Sequence, residues 1–100
     1  MSTLHIVAAS TANSTALARC LQVAAPGDAL LLIGNGVYCA IAADFPRHQT
    51  RGKEITWFAL AADLEQRAID ERLPDSVQRI DDAGFVDLVV AHQPIVSWSS

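Results

Sequence analysis

The chain is 100 residues long, which suits one domain and leaves no room for a second. Hydrophobic residues make up 51% of it and charged residues only 18%, against roughly 25% in an ordinary soluble domain, so a small body has few charges with which to cover itself and is expected to keep an apolar patch for a partner. A formal net charge of −4 argues against direct capture of phosphate backbones.

In chain order, Leu4-His5-Ile6-Val7-Ala8-Ala9 reads as a first strand. Thr11, Asn13 and Ser14 offer N-cap side chains for a helix running to about Ala25, on which Leu17, Cys20, Leu21 and Ala24 share one stripe. Pro26-Gly27-Asp28 is a turn. Ala29-Leu30-Leu31-Leu32-Ile33 follows without polar alternation, as expected for a strand covered on both faces by helices. Gly34-Asn35-Gly36 ends it, and Val37, Ala40 and Ile41 then recur at helical spacing.

The polar segment 44–53 reads as a loop, and its basic run Arg47-His48-Gln49-Thr50-Arg51-Gly52-Lys53 as solvated rather than as a nucleic-acid patch. Ile55-Thr56-Trp57-Phe58-Ala59-Leu60 is a third strand. Asp63 is expected to cap a helix over Leu64 to Arg72, stopped by Pro74. Val77-Gln78-Arg79-Ile80 is a fourth strand, and Asp81 or Asp82 opens a helix holding Phe85, Val86, Leu88, Val89 and Val90. Gln93-Pro94 breaks it, and Ile95-Val96-Ser97-Trp98 gives a last strand. Strands alternating with short helices predict an α/β fold with five strands in a largely parallel sheet, with Leu30, Leu32 and the third strand inside.

Few of these residues form a chemical motif. Gly34-Asn35-Gly36 lacks the third glycine and the ribose-binding acid of a dinucleotide site, so it reads as a strand-to-helix turn. His5, His48 and His92 do not form metal-ligand spacings, and no cofactor is expected. The neighbours Asp70-Glu71 and Asp81-Asp82 point apart, which favours solvation or capping over a catalytic dyad. No Gly-x-Ser-x-Gly elbow is present. Met1 to Ser10 lacks the pattern of a secretory signal, and no stretch approaches the ~18 apolar residues of a membrane span. Cytoplasm is the expected compartment, and both cysteines are expected as reduced thiols. Cys39, among Val37, Tyr38, Ala40 and Ile41, reads as a core filler. Cys20 is open to two readings: a buried structural cysteine past the helix middle, or a sulfur-handling thiol at the edge of the apolar stripe.

Four stretches in order resemble the TusB/DsrH family over residues 4–98. They are Leu4-His5 with Ser10, then Gly27 to Ile33 with Gly36-Val37-Tyr38. Phe58-Ala59-Leu60 follows, with Asp63-Leu64 and Arg67, and then Ile80-Asp81, Phe85 to Leu88, His92 and Trp98. Asn35 stands where an acidic residue is usual, Ala68 replaces a usual glycine, and Asp82 departs from a common tyrosine.

The resemblance implies the three-layer α/β/α DsrE-like fold and a heterohexamer with TusC/DsrF-like and TusD/DsrE-like subunits, two copies of each. Sulfur would travel as cysteine persulfide, with the acceptor cysteine on the TusD/DsrE-like subunit. It would arrive from TusA and pass to TusE, ending as the 2-thio group of the tRNA wobble uridine, or pass to DsrC in a sulfur-oxidation pathway. On this reading the chain is a subunit without its own catalysis, and Trp98 is a candidate interface anchor. The alternative makes Cys20 the persulfide carrier of a sulfurtransferase subunit, as some DsrH-type members carry a cysteine at that place. A self-sufficient homo-oligomer binding a small ligand at the carboxyl ends of the strands is a third reading.

Overall fold

The structure is a computed structural model and describes residues 2–51 and 54–99; Gly52 and Lys53 of the basic run lie outside the described residues. Five strands, β1 (Leu4–Val7), β2 (Ala29–Leu32), β3 (Thr56–Leu60), β4 (Val77–Ile80) and β5 (Ile95–Trp98), form one sheet in the order β4-β3-β2-β1-β5. Every neighbouring pair is parallel. Between them lie α1 (Ala16–Val23), a 3-10 helix over Gly34–Ile41, α2 (Phe45–Arg51), α3 (Ala61–Gln66), a 3-10 turn over Asp70–Arg72 and α4 (Asp82–Ala91).

Connection handedness decides the layers. Each step from β1 to β4 moves the same way across the sheet, so right-handed crossovers place α1, the 3-10 helix, α2 and α3 on one face. The last connection returns past three strands to the far edge, which puts α4 on the other face. The two cores follow suit. Val7, Leu30, Leu32, Trp57, Ala59 and Val77 meet Leu17, Cys20, Leu21, Val37, Phe45 and Leu64 on the first face. Leu4, Ile6, Ala29 and Leu31 meet Phe85 and Leu88 of α4 on the second.

β2 is the central strand and all four of its residues are buried, which explains its unbroken apolar run. Each buried leucine there contributes roughly 1.5–3 kcal/mol. β3 is inside on one face only. Trp57 and Ala59 are buried, while Phe58 and Leu60 are partly covered and Thr56 is exposed, because α4 is the one helix on that side.

Local chemistry sets the boundaries. Gly27, at φ +90°, takes the third position of a turn closed by Asp28 N–H donating to the Ala25 carbonyl at 3.0 Å, with Pro26 before it. Gly36 packs so closely on β1 that a Cβ would stand 2.1 Å from the Val7 carbonyl oxygen. Helix α1 starts at Ala16, later than expected. The Ser14 hydroxyl accepts from the Ala16 N–H at 3.0 Å, whereas Asn13 belongs to a turn onto the Ser10 carbonyl. Asp81 caps α4, its side chain accepting from the Gly84 N–H at 2.9 Å.

Two expectations are corrected. The segment expected as a polar loop contains α2, whose one apolar anchor, Phe45, is buried edge-on against Trp57 at 5.2 Å between ring centroids. The helix expected from Leu64 to Arg72 runs instead from Ala61 to Gln66, because β3 passes into α3 without a loop. Asp63 lies in its first turn and does not cap it. At the other end Ile69 N–H donates to the Leu64 carbonyl and Ala68 N–H to that of Glu65, both at 3.0 Å. Ala68 is left-handed at φ 55°, and these bonds form a Schellman stop with Ile69 and Leu64 both buried.

Candidate functional site

Polar residues that carried the family resemblance meet in two places. The first is a buried polar network on the α1 side of the sheet. His5 of β1 is 2% exposed and Asp28, just before β2, is 6% exposed. His5 Nε2 lies 3.0 Å from Asp28 Oδ2, and the Trp98 indole N–H donates to His5 Nδ1 at 3.2 Å. Asp28 also accepts from the backbone N–H of Thr3 and of Ala25, each at 2.9 Å. Burial works against the charge of Asp28. The hydrogen bonds from Ala25, Thr3 and His5 outweigh it and hold the carboxyl below its ordinary range. The network joins β1, the turn before β2 and the end of β5. With both imidazole nitrogens engaged, the ring ties these three elements together.

The second place is the carboxyl end of β2 and β3. The Gly34 N–H donates to Asp63 Oδ2 at 2.7 Å, which binds the turn after β2 to the first turn of α3. Arg67 donates from Nε and Nη2 to Asn35 Oδ1 at 3.3 and 3.1 Å, and from Nη1 to the Asp63 carbonyl at 3.1 Å. Its guanidinium also stands 5.9 Å from the centre of the Tyr38 ring. Asn35, where an acid was expected, keeps the acceptor and drops the charge. Beside this cluster the loop Thr11–Thr15 lines a shallow open hollow. It offers hydroxyls and amides, with no nucleophile and base in contact.

Both thiols are buried, with Cys20 close enough to Asp28 of the first place to feel its charge. Cys20 lies on the inner face of α1 and is fully buried, not at the edge of the stripe. Burial, with the negative charge of Asp28 adding to it, pushes its thiol up to about 12. At pH 7 that keeps the thiol protonated. Cys39, in the 3-10 helix, is also fully buried and donates to the Ala9 carbonyl at 3.4 Å. Burial raises its thiol as well.

The remaining candidates are dispersed. His48 Nε2 is 3.1 Å from Asp44 Oδ2, and His92 Nδ1–H donates to the Leu88 carbonyl at 2.8 Å at the end of α4. Asp70 meets Arg79 at 3.4 Å, and Arg79 also pairs with Glu65. Among the described residues no three potential metal ligands stand together. Nor is any helix there long and apolar enough to cross a membrane.

The family model described as DsrH like protein matches residues 9–95. Protein TusB of Salmonella dublin is 37% identical over 90 residues, which is 90% of this chain and 92% of that protein. Protein TusB of Salmonella typhimurium matches with the same identity and the same coverage. The chain belongs to the TusB/DsrH family. Its fold is shared with the crystal structure of the ychN protein from E. coli, at a TM-score of 0.73 over 98% of this chain and all of that one. Identity there is 14%, so this likeness bears on the fold, the DsrE-like three-layer arrangement. The TusB/DsrH resemblance rested on residues scattered from Leu4 to Trp98, and the fold turns them into contacts. Sequence reasoning did not foresee the His5–Asp28–Trp98 network. The available signal was a histidine in an otherwise apolar strand, which must find partners once buried.

Proposed function

We propose that the chain is a non-catalytic subunit of a heterohexameric sulfur-relay complex, assembled with TusC/DsrF-like and TusD/DsrE-like subunits. The complex takes persulfide sulfur from TusA and hands it to TusE or a DsrC-type carrier. Its end is 2-thiolation of the tRNA wobble uridine in the cytoplasm, with no direct contact between this chain and nucleic acid or membrane. The acceptor cysteine belongs to the TusD/DsrE-like partner.

One observation carries this reading: a TusB/DsrH member in which both thiols are fully buried, Cys20 with its ionisation pushed up to about 12. A sulfur acceptor must be ionised and reachable, and neither thiol is. The chain's contribution is then shape. A persulfide is labile towards other thiols, so a relay gains from a sheltered hand-over site built between subunits. Support for such assembly comes from α4, which exposes Val86, Val89 and Val90. Trp98, at the end of an edge strand, is the proposed anchor.

The experiment reconstitutes the three subunits and follows persulfide delivery to the carrier protein. Cys20→Ser is expected to leave transfer nearly intact. Trp98→Ala is expected to weaken assembly by ~2 kcal/mol or more. A thermal melt of the isolated variant separates loss of anchoring from loss of folding. Loss of transfer in Cys20→Ser with assembly unchanged would overturn the reading and make Cys20 the persulfide carrier.

A further inference from the structure

The two hydrogen bonds of the His5 ring respond oppositely to a proton. An indole N–H only donates, so His5 Nδ1 accepts from Trp98. The ionised Asp28 only accepts, so His5 Nε2 carries the hydrogen that faces it. The ring is thereby the neutral Nε2–H tautomer, assigned by its two partners.

We infer that His5 is a proton-operated latch on Trp98: a second proton, taken from solvent onto Nδ1, opposes two N–H donors and releases the indole while the Asp28 contact holds. The balance is simple. One proton is bound, the hydrogen bond to Trp98 is lost, and the contact with Asp28 becomes an ion pair. The groups placed against His5 among the described residues leave this balance undisturbed. Asp28 faces it from the turn before β2, and its charge persists under three donors. The Cys20 thiol on α1 interacts with Asp28 and stays protonated. The register partners Leu30 on β2 and Val96 on β5 are uncharged.

Position in the sheet makes the release matter. β5 is an edge strand with β1 as its one neighbour, and Trp98 is its last residue. The indole ring, with its centroid 6.3 Å from that of His5, also packs on the main core. His5 is nearly sealed from solvent, so bulk water does not replace the lost partner unless the strand end moves. Strand ends at sheet edges open more readily than strand centres, and this one is tied by a titratable group as well as by the Ala8 N–H donating to the Trp98 carbonyl at 3.0 Å.

The test is nuclear magnetic resonance on the full ¹⁵N-labelled chain, from about pH 8 to about pH 5. The His5 ring nitrogens report the tautomer, and the Trp98 indole cross-peak reports the latch. The expected result is an Nε2–H ring at high pH and an indole shift that follows His5 with the same midpoint. In His5→Gln, whose amide can accept from Trp98 and donate to Asp28 without titrating, the indole peak should become independent of pH. An Nδ1–H tautomer at high pH would overturn the inference. So would an indole peak that stays fixed while His5 titrates, or one that still shifts in His5→Gln. Should the variant not fold, coincidence or divergence of the two wild-type midpoints decides.

Discussion

Ala68 holds a left-handed backbone at φ 55°, a conformation that brings the Cβ of an L-residue too close to the carbonyl that follows it, at roughly 1–2 kcal/mol. The bonds on either side of it and the buried pair Leu64 and Ile69 hold it there. Glycine carries no Cβ but loses more entropy on folding, by about 0.4–1 kcal/mol. Ala68→Gly is therefore expected to raise stability by about 0.5–1 kcal/mol, read as a higher urea midpoint at unchanged slope. Asp28 gives a prediction with a pH sign. A carboxyl depressed in the folded state adds stability that is complete above its unfolded value of ~3.9 and is lost as pH falls through the folded value. In Asp28→Asn an amide N–H₂ can face the N–H donors of Ala25 and His5, so a cost of about 1–3 kcal/mol at pH 7 is expected. The gap between variant and parent should narrow below about pH 4, measured by urea unfolding at each pH.

Of the four α-helices, α4 has no buried residue among those described, although most of its side chains are apolar. Val90 is 81% exposed and Val86, one turn earlier, 60%. A helix apolar around its circumference belongs inside something larger. Val90→Lys should change the stability of the isolated chain by less than ~0.5 kcal/mol, since an exposed side chain is replaced near a helix C-terminus that favours a cation. In the reconstituted complex the same change should weaken assembly, seen as a shift from complex to free subunits in sedimentation. Unchanged sedimentation would remove α4 from the interface. The elements also show what their residues reveal in advance. The run Ala29 to Ile33 announced a strand covered on both faces, and the pair Asp81-Asp82 announced the start of α4, with Asp81 the residue that caps it. Helix α2 stayed hidden because Phe45 is its one buried residue, too few to set a period. The end of α3 was misplaced because its stop residue is an alanine where glycine would have signalled it. The polar network was out of reach of any local window, since its members lie 23 and 93 positions apart.

At the scale of the molecule, a radius of gyration of 12.1 Å is what a folded body of this length needs, about 13 Å. Among the described residues no buried side-chain nitrogen or oxygen lacks a hydrogen-bond partner. The buried side chains thus pair within the chain itself, and any self-association would come from the surface. The uneven layers supply the reason: α1, the 3-10 helix, α2 and α3 cover one face and, among the described residues, α4 alone the other. The isolated chain is expected to self-associate or precipitate at micromolar concentrations, as obligate interfaces do when unpaired. Static light scattering checks this, and a stable monomer across that range would count against it.

The strand order also bears on how the chain is made. β1 leaves the ribosome first, yet its partner on the outer side is β5, so residue 4 waits for residue 95. Until then β1 is an open edge, with the backbone groups that will pair with Ile95 to Trp98 unsatisfied and Leu4 and Ile6 uncovered by α4. Any form of the chain in which β5 has not yet docked exposes that one flank. Such an edge is a template for strands from other chains, and parallel pairing across so long a separation is slow to form. Synthesis beside its intended partners, or under a chaperone, would shorten the interval in which that flank can find the wrong strand.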